Sequence, residues 1–103
     1  MKRDPIEVVR EALPVDELLC QLAEEADELG HAALKLRRAI TGINPTPVTV
    51  QQAYECLLEE IGDIDNCLVA LGYDRSLDVV RASMAANEKL HRWADRLEET
   101  SGT

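Results

Sequence analysis

Two long stretches of this chain carry apolar residues at helical spacing, and each holds an acidic cluster of the same design: Glu24-Glu25-Ala26-Asp27-Glu28 and Glu59-Glu60-Ile61-Gly62-Asp63. Carboxylates four apart on a helix, such as Glu24/Glu28 and Glu59/Asp63, repel one another. The sequence therefore carries the same electrostatic cost twice, and a bound cation would explain it. Cationic residues are not arranged to offset the clusters locally, since Lys35 lies two turns beyond Glu28 and Cys67 occupies the position four after Asp63. The competing reading, a solvated helix face laced with i,i+4 ion pairs, is the common fate of Glu-rich helices.

The helical pattern predicts an all-α, four-helix fold. Asp4-Pro5 reads as an N-cap and first helical position for a short helix over 4–13, ended by Pro14. Asp16 is expected to cap a second helix to about Ile40, with a stripe of Leu18, Leu22, Ala26, Leu29, Ala33, Leu36 and Ile40, stopped by Gly42. After the turn-rich connector Gly42 to Val48, Thr49-x-x-Gln52 fits a capping box, with Thr46-Pro47 as an alternative start. The third helix runs to about Leu71 on a stripe of Ala53, Leu57, Ile61, Ile64, Leu68 and Leu71, widened by Tyr54, Leu58 and Val69. Asp74 or Ser76 is expected to cap the fourth, which reaches Glu98-Glu99. It has one apolar face of Val79, Ala86, Leu90, Trp93 and Leu97 and a second of Leu77, Val80 and Met84. Residues 100–103 read as a frayed polar tail.

The 103 residues make a single domain, 1–103, with room for a real core but small enough to gain from oligomerisation. Aromatics are only 3% and Phe is absent, so Leu, Ile, Val and Ala must supply the packing, which favours helices. Eleven Lys and Arg against twenty Asp and Glu give a net charge of −9, which opposes nucleic acid polymers and anionic membranes. An anionic phosphate substrate would need divalent metal to neutralise the site first. Cys20, Cys56 and Cys67, odd in number and without C-x-x-C pairing, read as small packing residues. With no apolar signal region after Met1, they point to a reducing cytoplasm. His31 and His91 read as surface residues, and Trp93 as core.

On a helical wheel of about 100° per residue, Glu25 lies beside the second helix's stripe and Glu28 further round. Glu60 and Asp63 repeat those offsets on the third helix. Two antiparallel helices facing each other keep equal offsets on the same side of their interface, and the short connector favours that pairing. Glu25, Glu28, Glu60 and Asp63 are thus expected to form one cluster. Four carboxylates without a matching His or thiolate make a hard oxygen site, suited to Mg²⁺ or Mn²⁺ rather than Zn²⁺. Glu24, Asp27 and Glu59 point away; Glu24 or Glu59 remains available to orient water from behind the ligands.

Glu-Glu-x-x-Glu followed by Glu-x-x-Asp on helices resembles the MazG-like, all-α nucleotide pyrophosphohydrolases. Leu22 to Leu29 and Leu57 to Ile64 are similar to that family's motif helices, and Asn87-x-Lys89-Leu90-x-x-Trp93 is similar to its downstream substrate-side segment. The resemblance implies a MazG-like bundle with antiparallel central helices, completed by assembly into a homodimer or homotetramer. It also implies that Glu25, Glu28, Glu60 and Asp63 bind Mg²⁺ and act in catalysis. A nucleoside triphosphate would then be cleaved by water at its α-phosphorus, giving a nucleoside monophosphate and pyrophosphate. On the same resemblance Lys89, with Arg92 or Lys35, meets the distal phosphates and Asn87 the base or sugar. The competing reading of Lys89 and Arg92 is an exposed face pairing with Glu88, Asp95 or Glu99. Two alternatives stand beside this one. Phosphoribosyl-ATP pyrophosphohydrolase is similar in fold and motif but calls for more basic residues. A non-enzymatic helical dimerisation or regulatory module would keep the acids only for solubility.

Overall fold

In a computed structural model, residues 2–73 and 77–101 are described. They form four helices and, among the described residues, no strand: α1 (Pro5–Ala12), α2 (Val15–Thr41), α3 (Val50–Ala70) and α4 (Leu77–Ser101). The chain divides into two compact units, Met1–Gly72 and Tyr73–Thr103. The first holds α1, α2 and α3; the second is α4.

Local chemistry sets the helix ends. The Asp4 carboxylate accepts the Ile6 N–H at 3.0 Å, and Pro5 follows as the first helical residue, where its missing N–H costs nothing. Gly42 ends α2 with φ of 68°, in the left-handed region that glycine enters without a Cβ clash, and its N–H bonds Arg38 O at 2.9 Å. Thr49 and Gln52 make the full capping box at the start of α3: Gln52 N donates to Thr49 Oγ1 at 3.1 Å and Thr49 N to Gln52 Oε1 at 2.9 Å. Thr46-Pro47 is therefore not the helix start. Nor does Asp16 cap α2: the helix begins at Val15 behind Pro14, with Asp16 inside its first turn. Thr100, expected in the frayed tail, is helical, and its hydroxyl donates to Arg96 O at 2.8 Å. The proposed caps Asp74 and Ser76 and the last two residues of the tail lie outside the described residues.

Residues early in α2 and late in α3 line one cavity, so the two helices are antiparallel. The less exposed positions of α2 include Leu18, Leu22, Glu25, Leu29, Ala32 and Leu36, with Lys35, Arg38 and Ala39 also half-buried near its C-terminal end; those of α3 include Ala53, Leu57, Glu60, Ile64 and Cys67, with Leu71 at its C-cap. The two sets match position for position. Each is a four-three alternation, the spacing that keeps a helix seam facing its partner.

The seam is rotated from the apolar stripe expected from sequence. Ala26, Ala33 and Ile40 lie outside it, Ile40 at 64% exposure, as do Tyr54, Leu58 and Ile61 on α3. Their places are taken by Glu25 and Ala32, and by Glu60 and Cys67. The acids are therefore in the seam and not on its flank. Cys67 packs there, whereas Cys20 and Cys56 are exposed because they fall off the α2–α3 contact. His31 and His91 are exposed, and so is Trp93, at 57%, contrary to its reading as core.

Helix α1 packs against α3. The Arg10 side chain donates from Nε to Ala70 O at 3.1 Å and from Nη2 to Val69 O. It sits at the carbonyl end of α3, where a guanidinium meets two of the last carbonyls, Val69 O also accepting from Gly72 N at 2.9 Å, and the negative pole of the helix dipole.

Candidate metal centre

Antiparallel pairing brings Glu25 of α2 against Glu60 and Asp63 of α3. One carboxylate oxygen from each lies within 4.8 Å of the other two. Glu25 and Glu60 are half-buried in the seam and Asp63 is exposed at its edge. Adjacent ligands of an octahedral Mg²⁺ stand about 3 Å apart and opposite ones about 4 Å, and any three ligands include at least two adjacent pairs, so the trio has to close by up to about 2 Å to share an ion.

Two oxygens in this group, Glu25 Oε2 and Glu60 Oε2, are buried and make no hydrogen bond. Among the described residues no ion pair reaches the three acids; the Arg3–Glu11 pair is on the N-terminal segment. Unpartnered buried carboxylate oxygens are costly unless the charge is neutralised. The Glu25 side chain is held from behind instead: Gln21, one turn earlier on α2, donates its amide to Glu25 Oε1 at 2.8 Å. That leaves Oε2 for the cluster.

The electrostatics agree. Burial pushes the Glu60 carboxyl above its ordinary value of 4.5, and the nearby carboxylates push it in the same direction, Glu28 and Asp63 through their charges and Glu25 as the acceptor a protonated Glu60 would find and through its charge. The Cys67 thiol is likewise pushed up, first by burial and then by the charges of Glu25 and Asp63. Hard oxygen donors, two of them buried and unsatisfied, with no cation of the protein's own among them, fit a divalent metal of the Mg²⁺ or Mn²⁺ kind.

Three of the four acids expected to meet do so. Glu28 is exposed and outside the mutually close trio, yet near enough for its charge to act on Glu60. Glu24, Asp27 and Glu59 are exposed. Lys35 is half-buried on α2, two turns beyond Glu28. Asn87, Lys89 and Arg92 are all exposed on α4, in the second unit.

Three residues next to the acids had no place in the sequence reading of the site. Gln21 had a local signal, an amide four residues before Glu25 on one helix face. Asn66 and Cys67 had none beyond following Asp63 by one turn. All three line a cavity of about 590 Å³ that runs from Glu25 and Asp63 toward α1, where Ile6 and Val9 wall it.

No protein-family model matches the chain, and no curated protein or solved structure is significantly similar to it.

Proposed function

We propose that this chain is a Mg²⁺-dependent nucleoside triphosphate pyrophosphohydrolase of the MazG-like kind. It would convert a canonical or modified (deoxy)nucleoside triphosphate to the monophosphate and pyrophosphate in the cytoplasm. The observation that carries the reading is the convergence of Glu25, Glu60 and Asp63 around buried oxygens that nothing in the protein satisfies. A solvated acidic face would leave those oxygens in water.

Glu25, Glu60 and Asp63 would hold the metal, with Glu28 joining from the next turn of α2. Bound there, Mg²⁺ would supply charge to phosphate oxygens and lower the pKa of a water molecule. Gln21 fixes the rotamer of Glu25 by occupying Oε1, so that Oε2 is the oxygen offered. Burial and the neighbouring carboxylates raise the pKa of Glu60, so without metal it takes up a proton more readily than an isolated Glu does. On the substrate side, Lys89, Arg92 and Asn87 of α4 and Lys35 of α2 are the groups proposed to meet phosphates, base or sugar.

Assembly into a homodimer or homotetramer, giving a MazG-like bundle, belongs to the same proposal. It is supported by apolar side chains left open on α3 (Tyr54, Leu58, Ile61) and on α4 (Leu90, Trp93). Among the described residues no helix is long and apolar enough to cross a membrane.

The test is a nucleotide panel assayed for pyrophosphate release with and without Mg²⁺, alongside a thermal melt over a Mg²⁺ titration. Metal-dependent release and a rising Tm are expected. Neither response from any nucleotide would remove the enzymatic reading.

A further inference from the structure

The cavity beside the acids has two chemically different ends. Glu25 and Asp63 form one; toward α1 the walls become mainly aliphatic, with Ile6, Val9 and Leu18 beside the Asp4 carboxylate that caps α1, and no Lys, Arg or His lines it among the described residues. Between the ends lie two neutral amides. Gln21 is one turn before Glu25 on α2, and Asn66 is one turn after Asp63 on α3. Because the helices run antiparallel, both steps lead the same way, toward α1, by about 5 Å.

We infer that this groove between α1, α2 and α3 is where the nucleoside half of the substrate binds, with Asn66 as the residue that reads the base. The inference rests on the function proposed above and adds the position and chemistry of substrate recognition. Its volume of about 590 Å³ is within the range of about 300–1,000 Å³ typical of small-molecule sites. Phosphates belong at the acidic end, where a metal held by Glu25, Glu60 and Asp63 would offset both negative charges. The far end suits a neutral, partly apolar group: aliphatic side chains cover its faces, and an amide offers one donor and one acceptor to its edge. The Asn66 side chain makes no hydrogen bond within the described residues, so its amide donor and acceptor are available to a ligand. Gln21 gives one N–H of its amide to Glu25 and keeps the second N–H and the carbonyl oxygen.

The same lining excludes a second anionic group. A phosphoribosyl phosphate placed beside Ile6 and Val9 would be desolvated without a cation to meet it. Phosphoribosyl-ATP is thus disfavoured as substrate, and an ordinary nucleoside triphosphate favoured.

The test compares two probes in the presence of Mg²⁺ by calorimetry: a nucleoside triphosphate analogue with a methylene between the α- and β-phosphorus atoms, and inorganic triphosphate, which has no nucleoside. The wild-type protein is expected to bind the analogue more tightly. Val9→Trp, which fills the groove, and Asn66→Ala, at an exposed position that spares the fold, are each expected to cut that preference by about tenfold or more. Circular dichroism of both variants checks that the helices persist. A preference unchanged in Asn66→Ala and in a folded Val9→Trp, or absent in the wild type, overturns the inference. If the wild type nevertheless releases pyrophosphate from nucleotides, the enzymatic reading stands and only the groove assignment fails. If it binds neither probe and releases none, both fall together.

Discussion

Glu25 and Glu60 hold equivalent places on two antiparallel helices: each lies midway between seam residues seven positions away, Leu18 and Ala32 for one, Ala53 and Cys67 for the other. Each also keeps an Oε2 that is buried and bonded to nothing. Two positions that would ordinarily take Leu or Ala take carboxylates, and the consequences can be measured.

Replacing Glu60 with Gln keeps the shape and removes the charge that Glu25, Glu28 and Asp63 oppose. Without divalent metal the variant should melt at a higher temperature than the wild type. Its pyrophosphate release should fall by more than about 100-fold, the upper range for loss of a mere outer partner of a metal ligand. An active Glu60→Gln protein would falsify the site assignment.

Stability without metal should depend on pH through Glu60. Its folded-state pKa is raised above the ordinary 4.5, so the folded chain holds this proton more tightly than the unfolded chain does. The stabilisation is complete below that ordinary value and is lost as pH rises through the higher folded-state pKa. Urea midpoints measured across acid to neutral pH should therefore fall as pH increases, partly recover on adding Mg²⁺, and fall less steeply in Glu60→Gln. A metal-free midpoint that rises over the same interval would contradict this account.

Gln21→Ala frees Glu25 Oε1 and lets the carboxylate rotate. Affinity for Mn²⁺, read directly by calorimetry or paramagnetic resonance, should drop by about 10- to 100-fold with the helical signal unchanged. If affinity is unaltered, the Gln21–Glu25 hydrogen bond has no part in positioning the ligand.

Arg10→Ala removes two hydrogen bonds to the end of α3. We expect a loss of about 1–2 kcal/mol in urea unfolding, together with faster amide exchange in α1, which is only eight residues long and has little helical stability by itself. A Lys at this position can reach one carbonyl but not fork to two, so Arg10→Lys should recover only part of the loss.

The helix boundaries were largely legible because their signals are local. Asp4-Pro5, Gly42 and Thr49-x-x-Gln52 each act within a turn or two of where they stand. The start of α2 was misplaced because Asp16 is a good capping residue one position inside a helix that opens behind Pro14. The face of each central helix was harder. An apolar count favours Ala26, Ala33 and Ile40 over Glu25, and Ile61 over Glu60, since it has no way to score a carboxylate that is buried for its chemistry. The pairing of the acids survived this error because both helices are rotated by the same amount, so Glu25 and Glu60 still meet. Arg10 was illegible as a tie to α3, since its partners are backbone carbonyls some sixty residues away. Asn66 and Cys67 were hidden for a similar reason: only the direction of α3 relative to α1 turns them toward a shared cavity.

Trp93 is the chain's one tryptophan, and it stands on α4 with more than half of its surface open. The protein therefore carries a built-in fluorophore in its second unit. Indole emission from the isolated chain should lie at the long wavelengths of a hydrated ring, and any assembly that covers this stretch of α4 should move it to shorter ones. Concentration-dependent emission would thus report association without a label.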